Sequence, residues 1–111
     1  MKFTSMIIVS FILLLSGCAK PIEDSRLSYV GHWHSNEMAL LILQDGSVSY
    51  KRVKKGLTTS VNGPLKEFIG DDFVVGVLFI STTFKVTEPP HKVNSDWQMV
   101  VDGVRLTKDK Q

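Results

Sequence analysis

Two Asp-Gly pairs, Asp45-Gly46 and Asp102-Gly103, each lie between runs in which apolar residues alternate with others. Two right-twisted antiparallel strands join well through a two-residue turn with positive φ at both positions, and Asp-Gly is one of the few dipeptides that accept it. Each pair therefore marks a β-hairpin, and the turn dictates its register. In the first, 38–43 returns as 48–53, so Leu43 faces Val48 and Leu41 faces Tyr50, while Ile42 faces Ser49 and Leu40 faces Lys51. In the second, 97–101 returns as 104–107, setting Val101 against Val104 and Met99 against Leu106. Its other face sets Val100 against Arg105 and Gln98 against Thr107. Both hairpins carry one apolar face, the mark of a sheet buried on one side.

The remainder of 29–108 keeps the same period of two and shows no stretch of period 3.6. Residues 29–35 read as a first strand, and 65–69, 73–81 and 82–87 as others. Gly76 inside an apolar run marks a bulge or a close approach of another strand. Pro64 reads as a strand start at an edge, Glu88-Pro89-Pro90 as a strand end, and 91–96 as loop. Seven or eight short strands make the chain all-β, a small antiparallel sheet curled into a partial barrel or a sandwich. Phe68, Phe73, Phe79 and Phe84, with Trp97, are the expected core.

Ahead of this domain stands Met1-Lys2 and then the apolar run 6–15, MIIVSFILLL. A basic start, a short apolar stretch and small residues after it have the layout of a secretory signal peptide, and the run is too short to span a bilayer. Leu15-Ser16-Gly17-Cys18 resembles the lipobox of bacterial lipoproteins. The resemblance implies cleavage between Gly17 and Cys18 and diacylglyceryl attachment to the Cys18 thiol, with a further acyl chain (palmitate or similar) on the new amino group. Two or more acyl chains anchor a protein stably where one is marginal. Ala19, rather than Asp, follows the cysteine, which favours attachment at the outer membrane, facing the periplasm. The expected organisation is signal peptide 1–17, flexible tether 18–28, β domain 29–108 and a short tail 109–111.

Cys18 is the only cysteine, so with its sulfur alkylated the mature chain has no disulfide, no thiolate nucleophile and no Cys-ligated metal. The 94 residues from Cys18 onward suffice for one domain with a thin core. Twelve Lys and Arg against eleven Asp and Glu in that mature chain argue against a nucleic-acid binder. No Gly-x-Ser-x-Gly and no phosphate-binding glycine loop occurs, so the chain reads as non-enzymatic and cofactor-free.

Three clusters are candidate sites. His32 and His34 flank Trp33 two apart on one strand face, a spacing that suits two imidazoles on one metal with Glu37 or His91 as a third ligand. The plainer reading is two solvent-facing histidines opposite a buried Trp33. Lys51-Arg52-Val53-Lys54-Lys55 is a basic run that suits anionic head groups, and equally blunts a sheet edge against aggregation. Asp71-Asp72, with Glu67, reads either as a cation site or as a turn whose carboxylates accept from backbone.

Gly31-His32-Trp33 opening an antiparallel domain resembles the Gly-x-Trp start of lipocalins and smaller lipocalin-like lipoproteins, in which the Trp closes one end of a barrel. Residues 63–76 and 89–108 resemble small envelope proteins that end in a Trp-x-Met-x-Val-Asp-Gly hairpin. The resemblances imply a membrane-anchored envelope module that works by contact with an envelope protein, or a carrier of a small apolar ligand held among aromatic side chains.

Overall fold

The computed structural model describes residues 20–77 and 79–110. The expected signal peptide and Cys18 lie outside them. A short 3-10 helix, Asp24–Tyr29, leads into nine strands among the described residues. These are β1 (Gly31–His34), β2 (Met38–Ile42), β3 (Ser47–Lys54), β4 (Leu57–Ile69), β5 (Asp72–Val77), β6 (Ile80–Phe84), β7 (Val86–Val93), β8 (Asp96–Val101) and β9 (Val104–Lys108). All pairings are antiparallel, in the order β6-β5-β4-β3-β2-β1-β9-β8-β7.

β6 and β7 stand at opposite ends of that order, yet only Lys85 separates them in sequence. The two edges must therefore meet at this residue, and the sheet curls into a half-barrel. The corner is satisfied by two aspartates. The Val86 N–H donates to Asp72 Oδ1 at 2.7 Å, and the Lys85 N–H to Asp102 Oδ1 at 2.9 Å. In return the Asp102 N–H donates to the Lys85 carbonyl at 2.7 Å. Backbone groups at such a sharp change of direction leave the ladder, so side-chain acceptors take over.

The concave face encloses the core. Trp33, Leu40, Ile42, Phe73, Val75, Phe84, Met99, Val101 and Leu106 are all less than 2 % exposed. Phe84 stacks on Phe73 with ring centroids 5.0 Å apart and meets Tyr50 at 4.8 Å. Tyr29 meets Phe68 edge-on at 4.9 Å. Phe68 and Trp97 pack at the margin of this core, whereas Phe79, expected within it, is 100 % exposed. It stands at the β5–β6 turn, beyond the reach of the core.

The second hairpin has the expected register, Val101 with Val104 and Met99 with Leu106, about a turn with φ 47° at Asp102 and 80° at Gly103. The first does not. Ile42 pairs with Val48 and Leu40 with Tyr50, one residue off the expected register. Gly46 alone has positive φ, 95°, and its N–H donates to the Leu43 carbonyl while the Leu43 N–H donates to Ser47. This is a type I turn closed by a bulged glycine, with a three-residue loop in place of two. A slip of one exchanges the faces, so Met38, Leu40 and Ile42 are buried and Leu43 is 44 % exposed.

β4 begins at Leu57, seven residues before the strand start expected at Pro64, and changes partner along its length. From Leu57 to Pro64 it pairs with β3, and from Leu65 to Ile69 with β5. Pro64, lacking an N–H, stands at the handover rather than at a strand start. The expected strand 73–81 is in fact β5 and β6 joined by a turn, and Gly76 faces the β6 backbone, where a Cβ would clash with the Ile80 carbonyl oxygen. Pro89 and Pro90 do not end a strand; they lie inside β7, which continues to Val93 and turns at Asn94 (φ 59°) into β8. β7 is an edge, where a proline turned outward forfeits no ladder bond, and its pairing with β8 shifts between Glu88 and His91, where one turned inward forfeits no regular one.

The expected tether, 18–28, belongs to the domain from Ile22 onward. Ile22 is 7 % exposed and its N–H donates to the Gln44 carbonyl at 2.8 Å. Apolar Ile22 and Tyr29 bury against the sheet, and that burial orders the polar residues between them. The Lys20 carbonyl lies where a Cβ on Gly46 would be. Replacing Gly46 with alanine is expected to destabilise the fold by at least about 1 kcal/mol more than the same change at Gly56, which has φ 78° but open space around it. Urea denaturation of both variants measures this difference. A chain shortened to begin at Asp24 is expected to abolish it.

Candidate functional site

Trp33 stands in the core at the middle of β1. It is wholly buried and its indole N–H donates to the Tyr29 carbonyl at 2.9 Å. Alternation then turns His32 and His34 outward, with rings 5.9 Å apart. The side chain that joins them is Asp109, from the segment expected to be a free tail. Its carboxylate meets His32 Nδ1 at 2.6 Å and also His34 Nε2, and its N–H donates to the His32 carbonyl at 2.8 Å. Glu37, the expected third ligand, pairs with Arg52 at 3.2 Å, and His91 lies against the Pro89 carbonyl at 2.8 Å. Among the described residues no group of three or more His, Cys, Asp or Glu is placed to hold a metal ion.

Lys108, beside Asp109, is also fixed. Its stem fills the space over Gly31, where an added Cβ would come within 2.9 Å of Cδ. Its ammonium donates to the Ser28 carbonyl at 2.8 Å and lies between the faces of Trp33 and Trp97, at 4.8 and 5.2 Å. Burial pulls the Lys108 ammonium below its ordinary range. Sequence reasoning missed both residues because a run of charges at a terminus reads as solvated. The only available signal was Gly31, whose missing side chain leaves room for a long one.

The basic run lies at the far end of β3 and its turn, with Lys55 and Gly56 at φ 52° and 78°. Beside it an open cleft of about 350 Å³ is lined by Tyr50, Arg52, Lys54, Lys55, Leu57 and Thr59. Arg52 is engaged by Glu37. Among the described residues, 57–63 of β4 has no strand on the side away from β3, so this end of the sheet is an open edge flanked by lysines.

The turn is made by Gly70 and Asp71, and Asp72, expected within it, is the first residue of β5, paired with Ile69. The Asp71 carbonyl accepts the Tyr29 hydroxyl at 2.8 Å, and Asp72 holds the Lys85 corner. Burial pushes the Tyr29 hydroxyl up, so it stays protonated as a donor. Asp72 thus serves the fold through its carboxylate and Asp71 through its backbone carbonyl.

A second open cleft, about 330 Å³, runs between the leading segment and β4, lined by residues 20–23 and 65–68. It is the place where the chain leaves the domain toward Cys18. Among the described residues no helix is long and apolar enough to cross a membrane. Compared with protein-family models, curated proteins and solved structures, the chain finds no match.

On the outer face Arg105 grips Glu88 through two nitrogens, at 2.8 and 3.1 Å, and ties edge strand β7 across β8. The guanidinium holds the Glu88 carboxyl below the usual carboxylate range. A carboxyl lowered in the folded state stabilises it at neutral pH, and that contribution is lost as the pH falls through the folded value. In Arg105→Ala, a carboxyl-detected NMR titration is expected to find Glu88 back in the ordinary range, with greater exchange broadening along β7.

Proposed function

We propose that this chain is a lipid-anchored module of the bacterial envelope, held at the outer membrane by Cys18 and facing the periplasm, that acts by contact and not by catalysis. The reading rests on the lipobox-like Leu15-Ser16-Gly17-Cys18, and one observation about the fold sharpens it. Ile22 is buried and hydrogen-bonded, so only four residue steps separate the lipid-bearing cysteine from the packed domain. Four steps reach at most about 14 Å. The domain would rest against the head groups, where a free ten-residue tether would have lifted it clear. The exit cleft beside Leu65 then faces the bilayer, and the His32-His34-Asp109 cluster and the basic β3–β4 turn remain as surfaces for envelope partners.

The carrier reading places aromatic residues around a cavity. In the half-barrel Tyr50, Phe73 and Phe84 pack on one another instead, which supports the contact reading.

Mass spectrometry of the protein extracted from membranes is expected to find residues 1–17 removed and Cys18 carrying diacylglycerol. Cys18→Ser is expected to move the protein to the soluble fraction. Persistence of that variant in washed membranes would count against the anchor.

A further inference from the structure

We infer that the tip of the β5–β6 hairpin, carried by Phe79 and Ile80, enters the same bilayer leaflet that holds the N-terminal lipid. The inference rests on lipid attachment at Cys18. Phe79 and Ile80 are 100 % and 79 % exposed, while the other aromatic side chains of the domain pack in or against the core. The hairpin from Phe73 to Phe84 contains no charged residue. Head groups and acyl chains would accept such a tip, and a protein partner would usually be met with some charge at the rim.

The path of the chain gives the tip its occupant. The leading segment follows β4 backward from the β4–β5 turn: the Tyr29 hydroxyl binds the Asp71 carbonyl, and the Arg26 guanidinium lies 4.6 Å from the Phe68 ring centre. Ile22 then bonds to Gln44, and Lys20 lies against Gly46, whose carbonyl accepts the Leu65 N–H at 2.8 Å. β5 leaves the same turn at Asp72, passes Val75 opposite Leu65, and ends at Val77, paired with Ile80. The exit toward Cys18 and the hairpin tip therefore lie in the same direction from that turn. From the level of Val75 the strand continues only two residues, about 7 Å. With four residue steps between Cys18 and Ile22, a leaflet that holds the lipid lies within reach of Phe79. The basic β3–β4 turn is another exposed hairpin tip, but its four charges suit a head-group surface and not the interior of a leaflet.

The test uses the full lipidated chain carrying Phe79→Cys. Its Cys18 sulfur is a thioether, so position 79 holds the one free thiol and takes an NBD label. The protein is reconstituted into phosphatidylethanolamine–phosphatidylglycerol vesicles and floated on a density gradient. For floated protein the label is expected to shift to the blue, brighten several-fold and be quenched by lipids spin-labelled near the head of the acyl chain. The same dye at Ser60→Cys, on the open part of β4, is expected to remain water-like. Protein that floats with a water-like label at position 79 overturns the tip and leaves the anchor standing. Protein that fails to float overturns the anchor, and the inference with it. A blue shift without vesicles that grows with protein concentration means a second copy covers the tip, which also overturns the inference.

Discussion

The half-barrel depends on a single covalent constraint: one residue, Lys85, joins the two outermost strands of a nine-stranded sheet. A flat sheet of that width would separate its edges by roughly 40 Å at the usual strand spacing. One residue spans less than a tenth of that. Curvature is thus compulsory, and the concave face becomes the interior, with Ile22 and Tyr29 of the leading segment packed into it. Asp72 and Asp102 come from different hairpins and accept the backbone donors at this corner. Each sits beside its own turn, so the corner draws on the turn geometry of two separate hairpins.

What the sequence revealed follows the range of the forces involved. Local turn chemistry was legible where two residues settle it, as at Asp102-Gly103, and hence so was the pairing of β8 with β9. At Asp45-Gly46 the same dipeptide closes a longer loop in which Gly46 alone has positive φ, since the dipeptide fits both turn types and does not by itself choose between them. The all-β class was legible because period two persists throughout 29–108. Strand ends at Pro64 and Pro89-Pro90 were not, since the cost of a proline depends on whether its side of the strand has a partner, which is a property of the whole sheet.

Both chain ends of the domain were read as loose because they are polar, yet their order comes from a few side chains. Ile22 is buried against the sheet, and Lys108 spends its stem on Gly31 and its charge on two indoles. Ordinary composition cannot distinguish such a lysine from a solvated one. Asp109 likewise acquires meaning only from the two imidazoles that β1 places on one face. The histidine pair was visible in the sequence, but the carboxylate it meets lies more than seventy residues away.

For a chain anchored as proposed, the two prolines in β7 would have a bearing on life in a crowded plane. Proteins fixed to a membrane diffuse in two dimensions with their sheets at similar height, so an edge strand meets the edges of its neighbours far more often than in free solution. Of Pro89 and Pro90, adjacent in the strand, one lacks a donor on the outer edge of β7 and the other on the side of β8, where the pairing is already interrupted, and the irregular pairing around Glu88 twists that edge away from a straight template. A neighbouring strand approaching it would find a broken row of hydrogen-bonding groups.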